Sequence, residues 1–145
     1  MFERILVSVD GSEDSDKAVR ATKELARVHG SQVMVVHGRD LALMSTPAPT
    51  APVRPTTLDL ETVEEAQSLV DTAVDEVKTA GVDVRGEILP AQGRIGQQIV
   101  DAAKVFGADV IVLGSRGMSR IHAFMIGSVA DKVIRLAECP VLLER

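Results

Sequence analysis

Residues 110–117 read VIVLGSRG, and residues 127–129 read GSV. The four apolar residues 110–113 predict a short strand buried on both faces, because a half-exposed strand would alternate apolar and polar positions. The glycines that follow predict a loop, and residues 127–129 open a segment with helical periodicity. This unit of strand, glycine loop and helix is typical of α/β proteins with a parallel sheet.

The same alternation extends along the whole chain. Segments of helical period separate five strand-like runs, at residues 4–9, 32–37, 83–89, 110–113 and 141–143. This pattern predicts an α/β fold in which helices cover both faces of a parallel sheet, a three-layer sandwich. The first and fourth runs are almost continuously apolar and are expected at the centre of the sheet. The third is more polar and contains Gly86, which predicts an edge strand.

Capping residues give the expected helix boundaries. Ser12 is expected to cap the first helix, which Gly30 ends, and a second helix is expected from about 59 to 80. Ser128 is expected to cap the last helix. Residues 39–58 contain four prolines and no periodicity. They predict a long flexible loop that serves as a lid or a partner surface.

Composition narrows the class of function. The 145 residues suit a single domain, and a net charge of -5 without Trp or Tyr argues against nucleic acid as a partner. No apolar run is long enough for a membrane span, and the amino terminus lacks the features of a secretory signal. Cys139 is the only cysteine, which excludes an internal disulfide and favours a soluble protein of the cytoplasm.

The expected sheet predicts where a ligand binds. Ligands of open parallel sheets bind beyond the carboxyl ends of the strands, at the point where the strand order reverses. With the first and fourth strands central, Val9 and Asp10 flank that point on one side and residues 114–117 on the other. Asp10 is expected to accept hydrogen bonds from a sugar hydroxyl or an exocyclic amine, or else to stabilise its own turn. The backbone at Gly38 is expected to form the adjoining wall.

A glycine pattern, Gly114-x2-Gly117-x9-Gly127-Ser128, runs through this region. Glycine lets the backbone approach a phosphoryl oxygen, and the amides and dipole at the start of a helix favour an anion. Arg116 adds positive charge and Ser128 a hydroxyl donor. Gly114 and Gly117 taken alone are equally compatible with simple turns, but the complete pattern predicts a phosphate site.

These motifs resemble those of the universal stress proteins. The similarity covers nearly the whole chain: VDGS after the first strand, a histidine ending the second, GSRG after the fourth, GSV opening the last helix and CPVL near the end. The resemblance implies a Rossmann-like sheet in the order 3-2-1-4-5, as in adenine nucleotide alpha hydrolase-like folds, with ATP as the ligand. It also implies a homodimer formed through the last strand, at Val141, Leu142 and Leu143.

The resemblance further implies a set of nucleotide-contacting residues at three strand ends and at the start of the last helix. The set comprises Val9, Asp10, Gly38, Leu113, Gly114, Arg116, Gly117, Gly127, Ser128 and Val129. Two positions depart from the family pattern. Gly38 stands where ATP-binding members often carry valine, which implies the loss of an apolar contact to adenine, and Arg120 stands where glycine is frequent.

No enzymatic site can be assembled from the sequence. The chain lacks the GxxxxGK[ST] phosphate loop and the GxSxG nucleophile elbow, and its three histidines show no catalytic or metal spacing. We therefore expect a nucleotide-responsive stress or signalling module with little or no turnover, which binds ATP with Mg²⁺ or Mn²⁺ held by the phosphates. The alternatives are a protein that binds cyclic AMP or no nucleotide and, more distantly, an adenylyl-transferring enzyme. A flavodoxin-like carrier is disfavoured because Trp and Tyr are absent.

Overall fold

The fold is a five-stranded parallel sheet with helices on both faces. The computed structural model describes residues 1–39, 61–90, 94–117 and 125–145. The strands are β1 (Arg4–Ser8), β2 (Gln32–Gly38), β3 (Val84–Leu89), β4 (Val110–Gly114) and β5 (Val141–Glu144). The helices are α1 (Glu13–His29), α2 (Val63–Lys78), α3 (Ile95–Phe106) and α4 (Ser128–Leu136). The strand order is β3-β2-β1-β4-β5, which confirms the predicted α/β class and topology.

Two apolar cores, one on each side of the sheet, stabilise the three layers. Successive residues of β1 point to opposite faces, so Ile5 and Val7 join the core under α1 and α2, whereas Leu6 joins the core under α3 and α4. All three side chains are completely buried. Because β1 and β4 are covered on both faces, residues 5–7 and 110–113 are continuously apolar, as predicted for central strands.

The helix ends follow the expected local chemistry in most places. The Ser12 hydroxyl accepts the Ser15 amide and caps α1, and Gly30 ends that helix in the left-handed conformation. The helix α2 begins at Val63, later than predicted from periodicity, because Thr62 and Glu65 form a reciprocal capping box.

The predicted cap of the last helix is wrong by one residue. Gly127 is the N-cap of α4, with extended backbone dihedrals, and Ser128 is the first helical residue. The Gly127 carbonyl accepts the Asp131 amide, and the Gly127 amide donates to the Ser115 carbonyl at 2.7 Å. These two bonds hold Gly127 at the boundary, so the Ser128 hydroxyl is one position too late to cap the helix.

The edge position predicted for the third strand is confirmed, since β3 lies at one end of the sheet. The predicted loop from residue 39 to residue 58 lies outside the described residues from residue 40 onwards, as does Arg120. Among the helices of the described ranges, none is long and apolar enough to cross a membrane.

Candidate functional site

The strand order reverses between β1 and β4. The strand β1 pairs with β2 on one side and with β4 on the other, and the chain leaves both central strands at the same edge of the sheet. Two turns therefore lie side by side at this edge, residues 9–12 after β1 and residues 115–117 after β4. This is the place predicted for the ligand.

Asp10 stabilises the turn after β1. One carboxylate oxygen accepts the Ser12 amide at 2.9 Å, and the Asp10 amide donates to the Ser15 hydroxyl at 3.1 Å. The residue is exposed, and its other carboxylate oxygen lies 3.1 Å from the point that a Cβ would occupy on Gly117. The turn-stabilising role considered for Asp10 is therefore present, and the same carboxylate faces the turn after β4.

Gly114 makes close backbone packing possible. A Cβ on Gly114 would lie 2.9 Å from the Asp14 carbonyl carbon and from the Ser15 amide nitrogen, both in the first turn of α1. Real Cβ atoms essentially never come that close to another heavy atom. The absence of a side chain at Gly114 thus lets α1 start directly beside the end of β4.

The turn after β4 lies against the start of α4. A Cβ on Gly127 would lie 3.5 Å from the Arg116 Cα, the Gly117 nitrogen and the Ser115 oxygen, which is ordinary van der Waals contact. The first intrahelical bond is donated by Asp131, so the amides of Ser128 and Val129 precede the hydrogen-bonded turns. The Gly127 amide is already bonded to Ser115 and is not one of the donors that α4 presents.

Arg116, predicted to supply charge to a phosphate, is paired within the protein. Its Nε donates to an Asp14 carboxylate oxygen at 3.1 Å. The Ser115 hydroxyl donates to the same oxygen at 3.2 Å, and the Lys17 ammonium lies 3.6 Å from the other oxygen. The Arg116 side chain is still 36% exposed, so the pair does not remove it from solvent.

Asp14 is the residue at this edge that sequence reasoning missed. Burial by itself would raise the pKa of the Asp14 carboxyl, but the hydrogen bond and charge of Arg116, together with Ser115 and Lys17, hold that pKa below its ordinary value of 3.8. The available signal was helical spacing. Asp14 precedes the buried Ala18 by four residues, so it lies on the apolar face of α1 rather than among the solvent-facing acids.

Gly38 lies under a side chain from α3. A Cβ on Gly38 would be 2.6 Å from Cγ2 of Ile95, so the volume that a larger residue would fill at the end of β2 is occupied by isoleucine. From the sequence, glycine at position 38 implies the loss of an apolar contact to adenine. The structure places an apolar group there from another element.

His37 anchors the start of α2 to the end of β1. Its Nδ1 lies 2.7 Å from the Val9 carbonyl oxygen, and its Nε2 lies 2.8 Å from Oε2 of Glu61, just before α2. The Val9 carbonyl oxygen accepts a hydrogen bond from Nδ1. The contact with Glu61 is a hydrogen bond when either Nε2 or the Glu61 carboxyl carries a hydrogen atom. Arg39 adds a 2.6 Å bond to the Glu61 carbonyl. These contacts account for His37 without assigning it any chemistry.

Comparison with known proteins identifies the family of this chain. The model of the universal stress protein family matches residues 1–145. This chain belongs to the universal stress protein family. Universal stress protein YxiE of Bacillus subtilis is 32% identical over 150 residues, with all of both chains covered.

Solved structures of related proteins share the fold. The hypothetical protein MJ0577 of Methanocaldococcus jannaschii is 25% identical with a TM-score of 0.80, covering 99% of this chain and 96% of that one. The universal stress protein of Archaeoglobus fulgidus in complex with dAMP is 29% identical with a TM-score of 0.71, and both chains are covered completely. The family resemblance inferred from the motifs is thereby confirmed.

Proposed function

We propose that this universal stress protein is a nucleotide-responsive module that binds ATP between the ends of β1 and β4. The observation that carries the proposal is the start of α4, which lies against the glycine turn after β4 and which no side chain of the described residues caps. Backbone amides and the positive end of the helix dipole make such a terminus suited to phosphate.

The phosphate end of the proposed site combines three elements. The amides of Ser128 and Val129 provide donors, Gly117 and Gly127 add no side chain of their own between turn and helix, and Arg116 contributes positive charge. In the described ranges, no group of three or more His, Cys, Asp and Glu side chains forms a candidate metal site. The proposed Mg²⁺ or Mn²⁺ is held by the phosphates, where it would reduce the charge that the protein must accommodate.

The proposed nucleoside end adjoins the phosphate end, because the Asp10 carboxylate faces the turn after β4. The exposed Asp10 carboxylate offers acceptors to a ribose hydroxyl or to the adenine amine, beside Val9 and Leu113 at the strand ends. Gly38 and the Ile95 side chain over it form the adjoining wall. The dAMP complex of the Archaeoglobus fulgidus relative supports an adenine nucleotide as the ligand class.

The remaining alternatives concern the ligand and the reaction. Cyclic AMP would use the same nucleoside contacts but would present a single phosphate to α4, and a protein without nucleotide would leave those amides to water. Adenylyl transfer would release pyrophosphate. We favour binding with little or no turnover, because the sequence has neither a phosphate-loop lysine motif nor a nucleophile elbow.

We also propose a cytoplasmic homodimer formed through β5. This strand is last in the sheet order, and its residues Val141, Leu142 and Leu143 are all half-buried in the isolated chain. An apolar edge of this kind is stabilised when a second copy covers it. The measured mass in solution should therefore be twice that of the chain.

The ligand is tested first on the protein as purified. Native mass spectrometry should show ATP released from the protein, and calorimetric titration should give tighter binding for ATP than for AMP or cyclic AMP. Tighter binding of cyclic AMP, or binding of none of the three, would contradict the proposal. Release of pyrophosphate would establish the enzymatic alternative.

Gly127→Val tests the phosphate position. Its Cβ makes ordinary contacts, so the variant should fold, while its methyl groups enter the space between residues 115–117 and α4. We expect ATP affinity to fall at least tenfold, which is roughly the effect of losing one good charge-assisted hydrogen bond. Gly127→Ala, which adds the Cβ alone, is the matched control. Unchanged ATP affinity in a folded Gly127→Val protein would exclude this position for the phosphates.

A further inference from the structure

The Asp14 carboxylate is a buried charge at the junction of α1 and β4. Its residue is 5% exposed, as is Ser115. Burying a carboxylate is unfavourable unless charged or polar partners surround it, and Arg116, Ser115 and Lys17 do so here. An apolar residue at position 14 would stabilise the same packing without needing partners, so burial alone does not explain a carboxylate there.

The contacts of Asp14 are directed at the turn that the proposed phosphate site uses. Ser115 and Arg116 are consecutive residues between Gly114 and Gly117, and both donate to one oxygen of Asp14. The Ser12 hydroxyl, from the cap of the same helix, lies 3.4 Å from the Arg116 carbonyl oxygen. The first turn of α1 thus contacts the turn after β4 through side chains and backbone alike.

The same turn holds the start of α4 in place. The Ser115 carbonyl accepts the Gly127 amide at 2.7 Å, and Gly127 is the N-cap of α4. A continuous path of hydrogen bonds therefore runs from Asp14 through Ser115 to Gly127. The amides of Ser128 and Val129 follow directly after the last residue on this path.

We infer that Asp14 is a positioning residue for phosphate binding. It holds Arg116 and Ser115 so that the turn after β4 and the first amides of α4 are set at a fixed separation. The inference rests on the proposed function, and it assigns Asp14 no contact with the ligand. Loss of the charge at position 14 should therefore affect the phosphates of a nucleotide and not its nucleoside.

Asp14→Asn tests this inference because it removes the charge and preserves the shape. We expect ATP affinity to fall about tenfold and adenosine affinity to stay the same. Asp16→Asn is the matched control, since Asp16 is an exposed acid in the same helical turn and its loss changes the net charge equally. An equal loss for ATP and adenosine, or no loss for ATP, would overturn the inference.

A double-mutant cycle separates positioning from general electrostatics. If Asp14 acts through Arg116, then Asp14→Asn should change ATP affinity much less in an Arg116→Gln background than in the wild type. Equal effects in the two backgrounds would show that Asp14 does not act through Arg116.

Amide hydrogen exchange tests the path without any ligand. Asp14→Asn should speed exchange of the Gly127 amide roughly tenfold, and Asp16→Asn should leave it unchanged. Failure of the wild-type protein to bind ATP would refute the proposed function, whereas unchanged Gly127 exchange in Asp14→Asn would refute the positioning role. The two failures are therefore distinguishable.

Discussion

Gly38 and Gly114 end the two strands on either side of β1, and they have different neighbours. Gly114, at the end of β4, faces the backbone of α1, whereas Gly38, at the end of β2, faces the side chain of Ile95. Backbone in the first turn of a capped helix moves only when the helix shifts, whereas a side chain can change its rotamer. The stability lost when a strand-end glycine is replaced therefore depends on whether backbone or a side chain lies next to its Cα.

The same contrast extends to the two halves of the proposed site. On the phosphate side, charge pairs and hydrogen bonds join Asp14, Ser115 and Gly127 into a rigid unit. On the nucleoside side, the wall at Gly38 is formed by apolar packing of Ile95. We therefore expect a glycine substitution on the phosphate side to cost more stability than one on the nucleoside side. Two of the three experiments below compare such substitutions, and the third measures the contribution of the Asp14 charge.

Gly114→Ala should have the largest effect on stability. The added Cβ would lie 2.9 Å from atoms of the α1 backbone, so β4 and α1 must separate. We expect the free energy of unfolding in urea to fall by about 3 kcal/mol, the upper part of the range for overpacking. Gly127→Ala is the control, with an expected loss below about 1 kcal/mol, because alanine is a poorer N-cap than glycine. A loss below about 1 kcal/mol for Gly114→Ala would show that α1 moves freely.

Gly38→Ala should have an intermediate effect that a second substitution removes. The new Cβ would displace the Ile95 side chain, and we expect a loss of about 1 kcal/mol in the free energy of unfolding. In an Ile95→Ala background the same substitution should cost much less, because both Cγ atoms are gone and only the Cβ of residue 95, 3.3 Å from the new Cβ, stays close. Additive losses in urea denaturation would mean that the two residues do not compete for the space.

The smallest effect is a pH dependence that belongs to Asp14. The pKa of Asp14 is lower in the folded protein than its ordinary value of 3.8. The ionised carboxylate therefore makes its full contribution to stability above about pH 4. That contribution is lost as the pH falls through the folded pKa. The difference in urea midpoint between wild type and Asp14→Asn should be constant from pH 5 to 7 and should shrink below about pH 4. A difference independent of pH down to pH 2 would contradict the assigned role of the charge.

Much of the fold follows from the sequence, and so does the meeting of the two turns after β1 and β4. The central strands were predicted because burial on both faces requires continuously apolar residues, and the cap at Ser12 because its hydroxyl acts on an amide three residues away. The cap at Ser128 was predicted by the same reasoning and was wrong. There a bond from Gly127 to Ser115, in a different element, decides the helix boundary.

The strand and helix pattern and the glycine turn beside the last helix can be predicted from the sequence, because they depend on periodicity and on local backbone preference, and the motifs are enough to recognise the family. The pairing of Arg116 with Asp14 and the contact of Ile95 with Gly38 are visible in the folded chain alone. Those partners are far apart in the chain, 102 positions in the case of Arg116 and Asp14. Which of the many acids meets a given arginine depends on strand order and helix placement, which no local pattern encodes.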